Sequence, residues 1–562
     1  MSKSLRRTVS SYSRRARRYS PSRISLAVGL ALSIGSLVAP IQAQAASGPK
    51  VQTNKGPVQG FIANGVAEFL GIPYAAPPVG DLRWRPPQPH EVWQKALDAR
   101  NFGPICLQTA SNPYSGPANM NEDCLFLNIF TPEIHTGTRQ RLPVIVYIHG
   151  GGNSSGESTG YDGSKLAGQG HTVVVTLNYR LGLLGDMANP AIDAEGHPFG
   201  NYDILDQQAA LRWVQKNIIN FGGDPNNITL AGQSGGSADT EASVMSPLAK
   251  GLLQRAILES HVYEPTPLAS AEAQGAAFAV AAGCGAGASP AVAACLRALP
   301  ASKIFALDSG PYHSEIIGDG QVVPNASFRT LIQQGRFNHV PVMSGTTEDE
   351  ETFSLAGTEY SENPRHPFTA ADYQNMVNSY ASASYPSGTA AKLQALYPLN
   401  AFVTPALAMD AIGTDPWACK QRGINSLLAD KVPVYAYEFD DRTAPSYYPT
   451  MPGLQLLAYH TGDIQYLFPL YHGSPLGIVH ELNRKQEKLS DEMVAAWTNF
   501  AWTGNPNGVG NSPWPRYKNR PSAASERAPA ILSENIPALS TFTDHEFSQT
   551  HNCDFWDSVS PF

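Results

Sequence analysis

The sequence predicts an α/β fold with a mostly parallel central sheet, helices on both faces and long insertions. Three observations predict it. Apolar, β-branched runs recur along the chain and read as buried strands. Helical patterns lie between them, and strands that alternate with helices argue for a parallel sheet. One strand, Ile228 to Ala231, runs into a glycine-rich turn and then into a helix opening near Ala238.

In chain order the strand runs are Val144 to Ile148, Val173 to Leu177, Ile228 to Ala231, Ala256 to Leu258, Val340 to Met343 and Val432 to Tyr437. Between them, Asp206 to Asn220 carries Leu211, Val214 and Ile218 at helical spacing, and Ser490 to Trp502 reads as a helix capped by Ser490. Ligand sites in such sheets form beyond the C-terminal ends of the strands. Three segments fall there: His149-Gly150-Gly151-Gly152, the turn around Ser234, and the acidic run Glu348-Asp349-Glu350-Glu351.

Ahead of these elements, the first 45 residues hold Lys3 and seven arginines with no acid, then an apolar run from Ile24 to Val38 and the small-x-small site Ala43-Gln44-Ala45. That order predicts a secretory signal peptide over residues 1–45, cleaved after Ala45, and a secreted or periplasmic protein. Losing its eight positive charges takes the formal net charge from −8 to −16. Nucleic acid and anionic membranes are poor partners for so acidic a chain. No later segment has eighteen uninterrupted apolar residues, so no stable membrane anchor is expected. Six cysteines in an exported chain suggest three disulfides, although six allow fifteen connectivities. No C-x-x-C or H-x-x-x-H spacing points to a metal, and no cofactor is expected.

Gly232, Ser234 and Gly236 stand in the spacing G-x-S-x-G between a strand and a helix, where a serine in a strained turn is lifted clear of the sheet. Acyl transfer needs such a nucleophile, a base for its proton, an acid to orient the base, and donors for the oxyanion. The glycines after His149 let backbone N–H groups approach a developing charge, and the N–H of Gly235 completes the hole. For the base, His149 belongs to that loop and His261 has no acid in a supporting place. His460, His472 and His480 all give the order serine, acid, histidine, and spacing alone does not choose among them.

FGGDPNNITLAGQSGG, Phe221 to Gly236, and EDCLFLNIFTP, Glu122 to Pro132, are long and specific stretches. With GIPYAAPPVGDLRWRPP, LNYRLG, GNYDILDQQAALRWVQKNI and AYHTGDIQYLF, they cover nearly all of the chain after the leader. Through them the sequence resembles the type-B carboxylesterase family, the cholinesterase-like α/β-hydrolases. The resemblance implies an α/β-hydrolase domain over residues 46–562 and a secreted serine esterase that cleaves carboxylic esters through an acyl-enzyme. It implies Ser234 as nucleophile, Glu350 as acid and His460 as base, with Gly151, Gly152 and Gly235 as oxyanion donors. It also implies the pairs Cys106–Cys124, Cys284–Cys295 and Cys419–Cys553. Small-molecule or polymeric esters would be the substrates; bulky or polymeric esters (a polyester, a lipid or an esterified toxin) are the alternative reading. A non-catalytic binding protein of the same fold would have lost the serine, which this chain keeps.

Departures from the family pattern are visible too. Glu351 stands where members have glycine, Gln233 where they commonly have glutamate, and His261 and Val262 where they commonly have glycine and serine. The loop from Cys106 to Cys124 has no tryptophan and only Tyr114 as an aromatic, so no preference for choline esters is expected.

Overall fold

Valine- and isoleucine-rich runs bury both faces only if strands flank them on each side and helices cover the sheet, and this chain folds accordingly. The computed structural model describes residues 48–132, 140–260, 264–313, 315–509, 511–518, 529–536 and 539–560. The expected signal peptide and His261 and Val262 lie outside them.

Among the described residues the main sheet has eleven strands: β1 (Phe61–Ala63), β2 (Val66–Pro73), β3 (Phe126–Pro132), β4 (Leu142–Ile148), β5 (Val173–Leu177), β6 (Gly223–Gln233), β7 (Arg255–Glu259), β8 (Val342–Thr347), β9 (Val434–Phe439), β10 (Pro529–Glu534) and β11 (Ser540–Thr543). Their order across the sheet is β11-β10-β9-β8-β7-β6-β4-β5-β3-β2-β1. From β10 to β5 every neighbouring pair is parallel, and antiparallel pairings finish both ends. Every residue of β5 is buried, and successive side chains point to opposite faces, so both faces are covered there.

Four helices bear on the site: α1 (Tyr202–Asn217), α2 (Gly235–Met245), α3 (Glu351–Ser361) and α4 (Pro405–Ala429); α5 (Arg484–Thr503) packs against the sheet. The first starts a turn earlier than Asp206 and gives way to a 3-10 turn at Ile218–Phe221. Tyr202 to Gln208 are all buried, so no polar face marks the start. Ser490 is not a cap. Asn483 caps α5, its side chain accepting from Lys485 and Gln486 N–H while Gln486 reaches back to the Asn483 N–H. Ser490 sits inside the helix, donating to the Tyr466 carbonyl and receiving Lys165 Nζ at 2.6 Å.

The strand ends are level where the site forms. Gly232 pairs with Ile148, Gln233 with Glu259, and Glu259 with Gly345. The segments that follow β4, β6 and β8 therefore leave the sheet side by side. Cys106 with Cys124, Cys284 with Cys295 and Cys419 with Cys553 stand at disulfide distance, with Cα separations of 5.0, 5.5 and 5.3 Å.

Candidate active site

Ser234 joins β6 to α2 with φ +57° and ψ −127°, a conformation that L-residues rarely hold. Its N–H bonds the Glu259 carbonyl at 2.9 Å, and its carbonyl receives Ser237 and Ala238 N–H at 2.9 and 3.0 Å. The flanking glycines are needed for contact reasons. A Cβ on Gly232 would come within 2.2 Å of the Gly236 carbonyl oxygen, and one on Gly236 within 2.2 Å of the Ile148 carbonyl oxygen.

The glycine loop after β4 folds onto this turn. A Cβ on Gly235 would lie 2.9 Å from Gly152 N, so the backbones of Gly152 and Gly235 converge beside Ser234. Gly151 has φ +122°. His149 anchors the loop: it is buried, its ring stacks on Tyr179 at 4.4 Å, and its carbonyl accepts from the Tyr179 hydroxyl at 2.6 Å. Burial lowers its imidazole to about 4, so the ring is neutral at ordinary pH.

The acidic run separates into four environments. Glu350 is buried and its Oε2 meets His460 Nδ1. Its Oε1 accepts from Thr346 Oγ1 at 2.5 Å and Thr347 N–H at 2.8 Å. Burial pushes this carboxyl up, but the His460 imidazole and the two threonine donors outweigh it and hold the group below the ordinary carboxylate range. Asp349 clasps two loops, receiving Arg442 at 2.9 Å on each oxygen and Ala458 N–H at 3.1 Å, while its own N–H reaches the Ala458 carbonyl. This clasp pins the His460 loop to the end of β8. Glu348 pairs with Arg442 at 3.1 Å. Glu351 opens α3 and lines the cavity, where burial pushes it up to about 7.

Of the histidine candidates, His460 alone joins Ser234 and Glu350 in one cavity of about 330 Å³, which Gly151 and Gly152 also line. His472 bonds the Leu470 carbonyl at 2.7 Å, and His480 is exposed. The hydrogen bond at His460 Nε2 comes from Gln233 Nε2 at 3.1 Å. Apart from Tyr114, the aromatic wall did not stand out in the sequence. Tyr114, Phe353, Trp417 and Tyr448 line the cavity, with Phe353 and Trp417 ring centroids 5.4 and 5.5 Å from His460. Phe353 follows the acid by three residues and was readable from that spacing; Trp417, in the middle of α4, carries no local signal.

The chain is similar to known esterases over most of its length. It is 34% identical over 537 residues to the medium-chain fatty acyl-CoA hydrolase precursor of Anas platyrhynchos, covering 88% of this chain and 90% of that protein. It is 32% identical over 503 residues to the para-nitrobenzyl esterase of Bacillus subtilis (strain 168), covering 87% and 96%. A solved PNB esterase structure matches with a TM-score of 0.71 and 30% identity over 89% of this chain and 99% of that one, so the fold is an α/β-hydrolase. The family model for the carboxylesterase family matches residues 47–556. The protein, a carboxylic-ester hydrolase, belongs to the carboxylesterase family.

Proposed function

We propose that this esterase works through a Ser234–His460–Glu350 triad with the amides of Gly151, Gly152 and Gly235 as its oxyanion hole. The observation that carries the reading is the meeting, in one cavity, of a strained serine, a histidine bonded to a buried ionised acid, and a glycine loop. His460 Nε2 takes the Ser234 proton as Oγ attacks the ester carbonyl. The glycine amides hold the oxyanion, and the imidazolium then protonates the leaving alcohol. Water repeats the cycle on the acyl-enzyme. Glu350 fixes the ring with its proton on Nδ1, leaving Nε2 as the base. Catalytic hydrogen bonds are often long in unliganded sites and tighten with substrate, so Ser234 competes with Gln233 for Nε2 once an ester is bound.

A cavity of about 330 Å³ with an aromatic wall suits small esters with an apolar or aromatic group. The N-terminal basic, apolar and small-x-small order supports export. A hydrolysis screen over short-chain aryl esters, triglycerides and polyesters tests the substrate reading. Turnover of short aryl esters above all others is expected, and a preference for polyester or triglyceride would replace it.

A further inference from the structure

Asn153 follows the loop glycines directly and is buried, with φ +48°, a left-handed conformation that asparagine tolerates better than most residues. Its carbonyl accepts from Gly182 N–H at 2.7 Å. Its side-chain nitrogen faces three acceptors: Asp239 Oδ1 at 2.6 Å, Asp203 Oδ2 at 2.9 Å and the Glu315 carbonyl at 3.0 Å. Asp239 lies on α2, the helix that begins immediately after Ser234. Asp203 lies on α1, as does Gln207, whose Nε2 takes the other oxygen of Asp239 at 2.5 Å. One side-chain amide therefore ties the glycine loop to two helices. On its other side, a Cβ at Gly235 would lie 2.8 Å from Asn153 Oδ1 and 3.0 Å from Asn153 N.

We infer that Asn153 is a positioning residue that fixes the Gly151 and Gly152 amides against Gly235, held in place by the carboxyl groups of Asp203 and Asp239. The inference rests on the triad and oxyanion-hole reading above. An amide suits the place because the surroundings are acidic. Asp186 stands beside Asp203, and burial together with the neighbouring carboxylates pushes both well above the ordinary carboxylate range. Burial also holds Asp239 up to about 7 against its two amide donors. A donor at position 153 satisfies these oxygens without adding charge, whereas another carboxyl would compete for their protons.

The geometry of an oxyanion hole matters in the transition state and little in the ground state. Asn153→Ala should therefore lower kcat per titrated site by roughly 10–100-fold and leave KM within about threefold, since losing a whole oxyanion donor costs about 10²–10³-fold. Inhibition by an aryl trifluoromethyl ketone, which forms an oxyanion on Ser234, should weaken by the same factor. A merely structural asparagine would lower the unfolding midpoint without moving kcat per labelled site or ketone affinity. Asn153→Asp removes the donor and adds an acid, and combining it with Asp239→Asn exchanges the amide and carboxyl partners. The exchange should recover at least about tenfold of the kcat lost in Asn153→Asp alone, and it supplies the readout should the alanine variant fail to fold. Wild-type kcat per labelled site in Asn153→Ala, or no recovery in the exchange, overturns the inference alone. Failure of a fluorophosphonate to label Ser234 in the unaltered protein overturns the triad reading, and the inference with it.

Discussion

Replacing Glu350 by glutamine separates the acid of the triad from its three acidic neighbours. Oε1 of Glu350 accepts from Thr346 Oγ1 at 2.5 Å and from Thr347 N–H at 2.8 Å, and both are donors. In Glu350→Gln that position must stay a carbonyl oxygen, because an NH2 there would face the Thr347 N–H, which cannot accept. The NH2 is then forced to the place of Oε2, facing His460 Nδ1. An NH2 cannot accept, so Nδ1 becomes the acceptor and the ring proton moves to Nε2, the atom that must take the Ser234 proton. The wrong tautomer of a triad histidine costs kcat about 10⁴-fold, or about 5.4 kcal/mol of barrier. Initial-rate kinetics on a p-nitrophenyl ester, with unfolding midpoints as a control, measure it. Glu350→Gln should lose about 10⁴-fold in kcat with KM little changed. Glu348→Gln and Glu351→Gln should stay within about tenfold, since neither is bonded to the ring. A larger loss in Glu351→Gln, or Glu350→Gln keeping a tenth of the activity, would remove Glu350 from the role of acid.

Gln233→Glu puts a carboxylate where an amide now stands 3.1 Å from His460 Nε2, and a negative charge there favours the protonated ring. The acid limb of kcat/KM should move to higher pH; an unmoved or lowered limb would count against the placement. His551 is buried between Asp415 at 3.0 Å and Glu438 at 2.6 Å, and although burial opposes its charge, the two carboxylates outweigh it and hold the imidazole well above its ordinary range. His551→Ala should cost about 3–5 kcal/mol in urea unfolding by leaving buried acids unpaired. Because the folded value is raised, that stabilisation is complete below the unfolded value of about 6.5 and fades as pH rises through the folded one, so a deficit that grows with pH would contradict it. Acetylcholine should show no marked kcat/KM advantage over a neutral isostere, given a first disulfide loop without tryptophan; a large advantage would reassign the aromatic wall.

The parts of the fold that were legible are those where local chemistry and tertiary role coincide. Val173 to Leu177 is a strand with those bounds, because a buried parallel strand is apolar at every position. The serine turn was legible for a similar reason, since only glycine fits at positions 232 and 236. Bounds slipped where a buried element carries polar residues. The strand read as ending at Tyr437 runs through Glu438 to Phe439, and Glu438 is buried because His551 meets it from the far end of the chain. Ser490 resembled a cap because serine often is one, but its hydroxyl is spent on Tyr466 and Lys165. Within the site, spacing could not choose among three histidines. The choice depends on Asp349 drawing the His460 loop to β8, a contact between residues more than a hundred positions apart. The bonds of Asn153 to Asp203 and Asp239 are equally non-local, and nothing in the sequence around Asn153 announces them.

Whether Ser234 is the nucleophile of this esterase is decided by mapping the site of a fluorophosphonate adduct by peptide mass spectrometry, with Ser234→Ala as the companion protein. One labelled residue, Ser234, is expected, with ester turnover lost in step with labelling and in the alanine variant, whose unfolding midpoint is retained. Label on another serine, or a folded Ser234→Ala protein that still hydrolyses esters, would contradict it.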